Sequence, residues 1–263
     1  MKFKDQINRV FELNKTPKRI ISLVPSQTEL LFDLGLEESI VGVTKFCVHP
    51  THLRKEKTTV GGTKTIKLDK IKSLNPDIIL CNKEENTKEI VEACERIAPT
   101  HVSEIFTLND SKELITQYGS IFSCEQKALE INSELDRKLH HFAQFIKNKG
   151  EKKVAYFIWR DPWMVAGNTT FINHLLELNK FKNIYSSKSR YPEVKLTNII
   201  SDGNPEFILL SSEPYPFKNK HKEELREHTN HAKIIFVDGE MFSWYGTRLL
   251  KAFDYFIDLH NRT

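Results

Sequence analysis

The chain has 263 residues, 39% hydrophobic and 28% charged, with a formal net charge of +4, which suits one large domain or two lobes of roughly 100 to 120 residues each. The charge is mild and no basic stripe is interleaved with aromatics, which argues against a nucleic-acid partner. No apolar run approaches the roughly 18 residues needed to cross a bilayer. Cys47, Cys81, Cys94 and Cys124 form neither a C-x-x-C pair nor a zinc-type spacing and read as free thiols.

The N-terminus, MKFKDQINRVFEL, alternates like a strand and lacks the apolar core of a signal peptide. As written, the chain is expected in the cytoplasm; if a leader has been removed, it belongs in the periplasm. An apolar run, Ile20 to Val24, stops at Pro25, and a helix follows with Ser26 as N-cap, Glu29 completing a capping box and Gly35 ending it. Further strands are expected at Ile40–Val43, Asp77–Leu80 and Thr100–Val102. Helices fall between them near Leu68–Leu74, Thr87–Ile97 and Asp110–Phe122. Strands alternating with helices imply a parallel or mostly parallel sheet.

Two segments echo later in the chain. KLDKIKSLNPDIIL (Lys67 to Leu80) returns as KLTNIISDGNPEFILL (Lys195 to Leu210), and ELLFDLGLEESIVG (Glu29 to Gly42) resembles HLLELNKFKNIY (His174 to Tyr185). The order is kept at an offset of roughly 130 to 145 residues, as expected of one α/β unit used twice. Between the copies, Cys124 to Gly150 keeps a helical apolar period through Leu135, Leu139, Phe142 and Ile146 without a proline. The expected organisation is an N-terminal lobe over 1–123, a connecting helix over 124–150 and a C-terminal lobe over 151–263.

The hairpin FKDQINRVFEL, then KRIISLVPSQTELLFDLG, VGVTKFCVHP, VGGTKTIKLDKIKSLNPDIIL, the long helix and the closing DGEMFSWYGTRLL together resemble the substrate-binding proteins of ABC importers for cobalamin and ferric siderophores. The resemblance spans almost the whole chain. It implies a class III periplasmic-binding-protein-like α/β fold of two lobes joined by a single long backbone helix, with a ligand cleft between the lobes, no enzymatic activity and a monomeric state. The implied ligand is a cobalamin-like corrinoid or another metal chelate such as a ferric siderophore or haem, with no covalent cofactor.

In such a fold the strand-end loops hold the ligand. On the first lobe they contain Pro25, Ser26 and Gln27, Phe46, Gly62 and Thr63 of GGTKT, and Asn82. The second lobe offers Trp159, Arg160 and Trp163 directly after a strand, and Phe242, Trp244, Tyr245 and Arg248 near the C-terminus. Flat aromatic faces suit a macrocycle and an arginine suits its polar edge; Arg248 could instead pair with Asp238 or Glu240. His49 and His52 of HPTH could share a metal, but no protein-held metal is expected. His221, His228 and His231 are placed on one surface helix.

The resemblance further implies one acidic docking residue per lobe for the permease. Asp69 matches the first; the second position is Thr197, with Glu193 close by, which weakens the expected docking. Two other readings stay open: a small α/β enzyme with a Cys47/His49 dyad, and a cytosolic regulatory partner with a degenerate cleft.

Overall fold

The computed structural model describes residues 1–229 and 231–262. The strands are β1 (Lys2–Lys4), β2 (Val10–Glu12), β3 (Ile20–Ser22), β4 (Ile40–Val43), β5 (Thr58–Thr59), β6 (Ile78–Asn82), β7 (Thr100–Ser103), β8 (Lys152–Trp159), β9 (Met164–Val165), β10 (Phe181–Asn183), β11 (Phe207–Ser211) and β12 (Lys233–Val237). The helices are α1 (Pro25–Asp33), α2 (Leu53–Glu56), α3 (Leu68–Ser73), α4 (Lys88–Glu95), α5 (Leu108–Phe122), α6 (Glu125–Ile146), α7 (Phe171–Leu178), α8 (Ile199–Asp202), α9 (Asn219–Arg226), α10 (Glu240–Ser243) and α11 (Leu249–Arg262).

Met1–Asp136 and Tyr245–Leu250 gather into one compact unit, and Arg137–Trp244 and Lys251–Thr263 into another. In the first, β1 and β2 make an antiparallel hairpin, and a parallel sheet runs β5-β4-β3-β6-β7. In the second, parallel strands run β10-β8-β11-β12, with β9 antiparallel on β8. The echoed segments take equivalent places. The first echo supplies α3 and β6 in one lobe and α8 and β11 in the other, while the second supplies the end of α1 with β4, and α7 with β10.

β6 and β11 are covered on both faces, which is why their sequences, IILCN and FILLS, are nearly continuous apolar runs instead of alternating ones. Ile21, Leu23, Ile79 and Val102 pack with Ile71 and Ile90 in the first core. Ala155, Phe157, Ile208, Leu210 and Ile234 pack with Tyr185 and Leu225 in the second. Truncating a fully buried leucine here to alanine costs about 2–5 kcal/mol.

α6 extends for 22 residues, roughly 33 Å at the rise of an α-helix. It ends at Ile146, short of Gly150. Its early turns approach α5 so closely that a Cβ on Gly119 would lie 2.8 Å from that of Ala128. Its later turns carry Phe142 onto Phe253 and Phe256 of α11, at 5.8 Å each.

Several local expectations are corrected. α1 is capped by Val24 and not by Ser26, because Pro25 occupies the first helical position, where its fixed φ fits and its missing N–H costs nothing. The expected capping box is therefore absent, and Glu29 bonds elsewhere. A capping box does form four helices later, where Thr107 and Asp110 start α5 ahead of the expected Asp110. Of the three histidines placed on one surface helix, only His221 lies in α9. It is buried, with Nε2 3.2 Å from the Tyr215 hydroxyl and Nδ1 accepting from the Lys218 amide.

Candidate ligand-binding site

Open parallel sheets place their ligands beyond the carboxyl ends of the strands, where the crossover direction reverses. In the first lobe that point lies between β3 and β6. Pro25, Ser26 and Gln27 follow β3 and are all buried. Gln27 is held on every side: its Nε2 donates to Ser103 Oγ at 2.6 Å, the Tyr245 hydroxyl at 2.9 Å and the Cys81 carbonyl at 3.3 Å. Its Oε1 accepts from the Tyr118 hydroxyl at 2.7 Å. A side chain with its polar atoms satisfied in this way braces the loop, and burial pushes the Tyr245 phenol up to about 12.

Asn82 ends β6 and shapes the next loop. Its Oδ1 accepts from the amides of Glu84 and Glu85, and its Nδ2 donates to Ser103 Oγ at 2.9 Å. Asn86 then binds the Asn82 amide and the Thr63 carbonyl, joining this loop to the GGTKT loop. Gly62 and Thr63 are buried, and a Cβ on Gly62 would meet the Phe46 ring at 3.2 Å. Phe46 itself is 48% exposed and carries the Lys45 ammonium 4.9 Å from its centroid. It is the open aromatic face of this lobe.

In the second lobe the reversal lies between β8 and β11. Trp159 ends β8, is 39% exposed and meets Tyr215 edge-on at 5.5 Å. Tyr215 contacts Phe217 at 4.9 Å, and Phe217 stacks on Trp163 at 5.7 Å and 11°. Arg160 lies over the Trp163 ring at 5.5 Å and is gripped by Glu224 at 3.0 Å and by Asp161. Trp159, Arg160 and Trp163 are thus brought together, with Tyr215, Phe217 and Glu224 added from β11's following loop and α9. The EPYPFK segment marked those aromatics in the sequence only as proline-flanked rings after a strand.

Trp244 directly follows α10. It is buried, and its Nε1 donates to Glu213 Oε1 at 2.9 Å, an oxygen that also accepts from Ser243 Oγ at 2.8 Å. Desolvation raises the Glu213 carboxyl above its usual range. Phe242 is fully buried against Tyr156 and Phe256, which leaves it no face to offer. Arg248, for which Asp238 or Glu240 was the expected partner, pairs with Glu29 of α1. Asp69, in the first turn of α3, and Glu193 are both exposed.

The Cys47 thiol is buried between the hydroxyls of Thr28, at 3.1 Å, and Thr44, at 3.3 Å, and desolvation raises its pKa. A reactive thiolate needs the opposite environment, so nothing here supports the dyad reading.

A family model described as periplasmic binding protein matches residues 20–237. The chain belongs to that family and is a substrate-binding protein of the ABC-importer type. It is 26% identical to an uncharacterized ABC transporter substrate-binding lipoprotein, YvrC, of Bacillus subtilis, over 94% of this chain and 81% of that one. A vitamin B12-binding protein of Vibrio campbellii is 27% identical over 75% of this chain and 72% of its own. Among solved structures, the periplasmic vitamin B12 binding protein BtuF of Vibrio cholerae superposes with a TM-score of 0.79 at 18% identity, covering 94% of this chain and 99% of that one. A periplasmic heme binding protein from Pseudomonas aeruginosa gives 0.80 at 18%, covering 92% of each. These relatives lend no support to a cytoplasmic location; no helix among the described residues is long and apolar enough to cross a membrane.

Proposed function

We propose that the chain, as a monomer outside the cytoplasmic membrane, captures a metal chelate with a broad flat face and passes it unaltered to an ABC permease. The carrying observation is Trp159, an indole 39% exposed at the carboxyl end of β8 and backed by Tyr215. A large aromatic left open at a ligand-binding strand end is best explained by a guest that covers it. Phe46 is the corresponding open ring of the first lobe.

A corrinoid is the favoured chelate. A carboxylate on the guest would compete with Glu224 and Asp161 for Arg160, so an edge of neutral amides loses less. The relatives named for vitamin B12 and heme support the wider class. Asp69 and Glu193 are the exposed carboxylates that would meet the permease, each contributing about 0 to 1 kcal/mol.

Titration with cyanocobalamin and, separately, haemin tests the reading through tryptophan fluorescence and the visible spectrum. Quenching together with a spectral shift is expected. A flat response to both ligands at roughly 10 μM, where a receptor of this affinity class would be loaded, overturns it.

A further inference from the structure

We infer that Glu37, His52 and Glu56 form a binding site for a divalent transition-metal ion of the zinc class on the first lobe. Glu37 opens the 3-10 turn that follows α1, His52 immediately precedes α2, and Glu56 is the last residue of α2. The four-residue spacing sets the imidazole and the Glu56 carboxylate on one side of a helical turn. Glu37 reaches them from an earlier element: His52 Nε2 lies 2.5 Å from Glu37 Oε1. One ligand atom from each of the three residues lies within 4.8 Å of the others. Phe32 meets the His52 ring edge-on at 5.7 Å, which limits its rotation.

The donor set decides the class of ion. One imidazole nitrogen and two carboxylate oxygens suit Zn2+ and its neighbours; three ligands fall well short of the six to eight oxygens that Ca2+ takes. Bonds of about 2.0–2.1 Å in a tetrahedral shell separate ligand atoms by about 3.3 Å. The His52–Glu37 pair therefore needs to open by less than about 1 Å, within reach of side-chain torsions. Their side chains keep 40% and 31% of their surface, leaving an entry path and a fourth position for water. Two carboxylates also balance the charge of the dication. In the sequence His49 was the natural partner for His52; the fold supplies Glu37 and Glu56 instead. The inference is independent of the chelate reading, since none of the three residues belongs to the proposed ligand rims.

Metal-stripped, untagged full-length protein is titrated with Zn2+ by calorimetry, and with Co2+ by visible absorption. One equivalent per chain is expected, with a Zn2+-dependent rise in melting temperature. His52→Ala and His52→Gln should each weaken binding by about tenfold or more, as loss of a ligand does. Glu37→Gln and Glu56→Gln should each weaken it as well, while His49→Ala leaves it unchanged. The assignment is overturned by the absence of heat and of a melting shift at about 100 μM Zn2+, by binding that survives both His52 variants, or by its loss in His49→Ala.

Discussion

Glu29 and Arg248 meet in a two-pronged ion pair buried in the first lobe, although 219 residues separate them in the chain. Nε lies 2.9 Å from Oε2, and Nη2 lies 2.9 Å from Oε1. Removing one partner strands the other charge away from water, so Arg248→Met is expected to cost about 3–5 kcal/mol. The double variant Glu29→Met, Arg248→Met should recover most of that loss, because neither charge is then stranded. Urea unfolding of the three proteins measures both effects.

Trp159 is exposed at the end of β8 and contributes little to the core, and in the proposed function its open face is what the ligand covers. Trp159→Ala should leave the unfolding midpoint nearly unchanged and weaken cyanocobalamin binding by about tenfold or more, the range of a truncated aromatic anchor. Phe242→Ala should behave oppositely, with a loss of about 3–5 kcal/mol in stability. A pair of chemical melts and two fluorescence titrations separate the two roles.

Gly61 holds φ at +125°, and a Cβ there would lie 2.4 Å from the Thr65 carbonyl oxygen. Gly61→Ala therefore strains the GGTKT loop by about 1–3 kcal/mol. Because Asn86 ties that loop to the turn after β6, hydrogen exchange should rise in both segments and stay unchanged in the second lobe.

His260, on α11, sits against Phe181 at 4.8 Å and Phe145 at 6.0 Å, and desolvation lowers its pKa to about 4. In unfolded chain the imidazole titrates near 6.5. Between the two values the unfolded state binds the additional proton, so stability rises with pH across that window and is fully present above it. His260→Phe should flatten this part of the curve. Denaturation midpoints for both proteins from pH 4 to 7 test the sign.

The lobes were legible because their central strands are apolar on both faces and each follows an Asn-Pro turn, in DIIL and again in FILL. The long helix was legible because its period runs unbroken through Leu135, Phe142 and Ile146. Trp159, Arg160 and Trp163 could be grouped because they are contiguous after a strand. Their companions Tyr215, Phe217 and Glu224 come from another loop, so their proximity depends on the β8–β11 pairing and not on spacing. Local logic missed the pairing of Arg248 with Glu29, because that carboxylate lies in α1, far from Arg248 in the sequence. It also misassigned Ser26, because the proline before it already begins the helix. The metal-ligand trio was hidden for a similar reason, since Glu37 precedes a strand that His52 follows.

Tyr245 to Leu250 return to the first lobe after the second has been traversed. During synthesis, Gln27 and Glu29 leave the ribosome long before Tyr245 and Arg248, which follow 218 and 219 residues later. A nascent chain arrested at Asp136 still lacks the arginine that pairs with Glu29 and the phenol that completes the shell of Gln27. Protease protection of the early half should then mature only on release of the finished polypeptide.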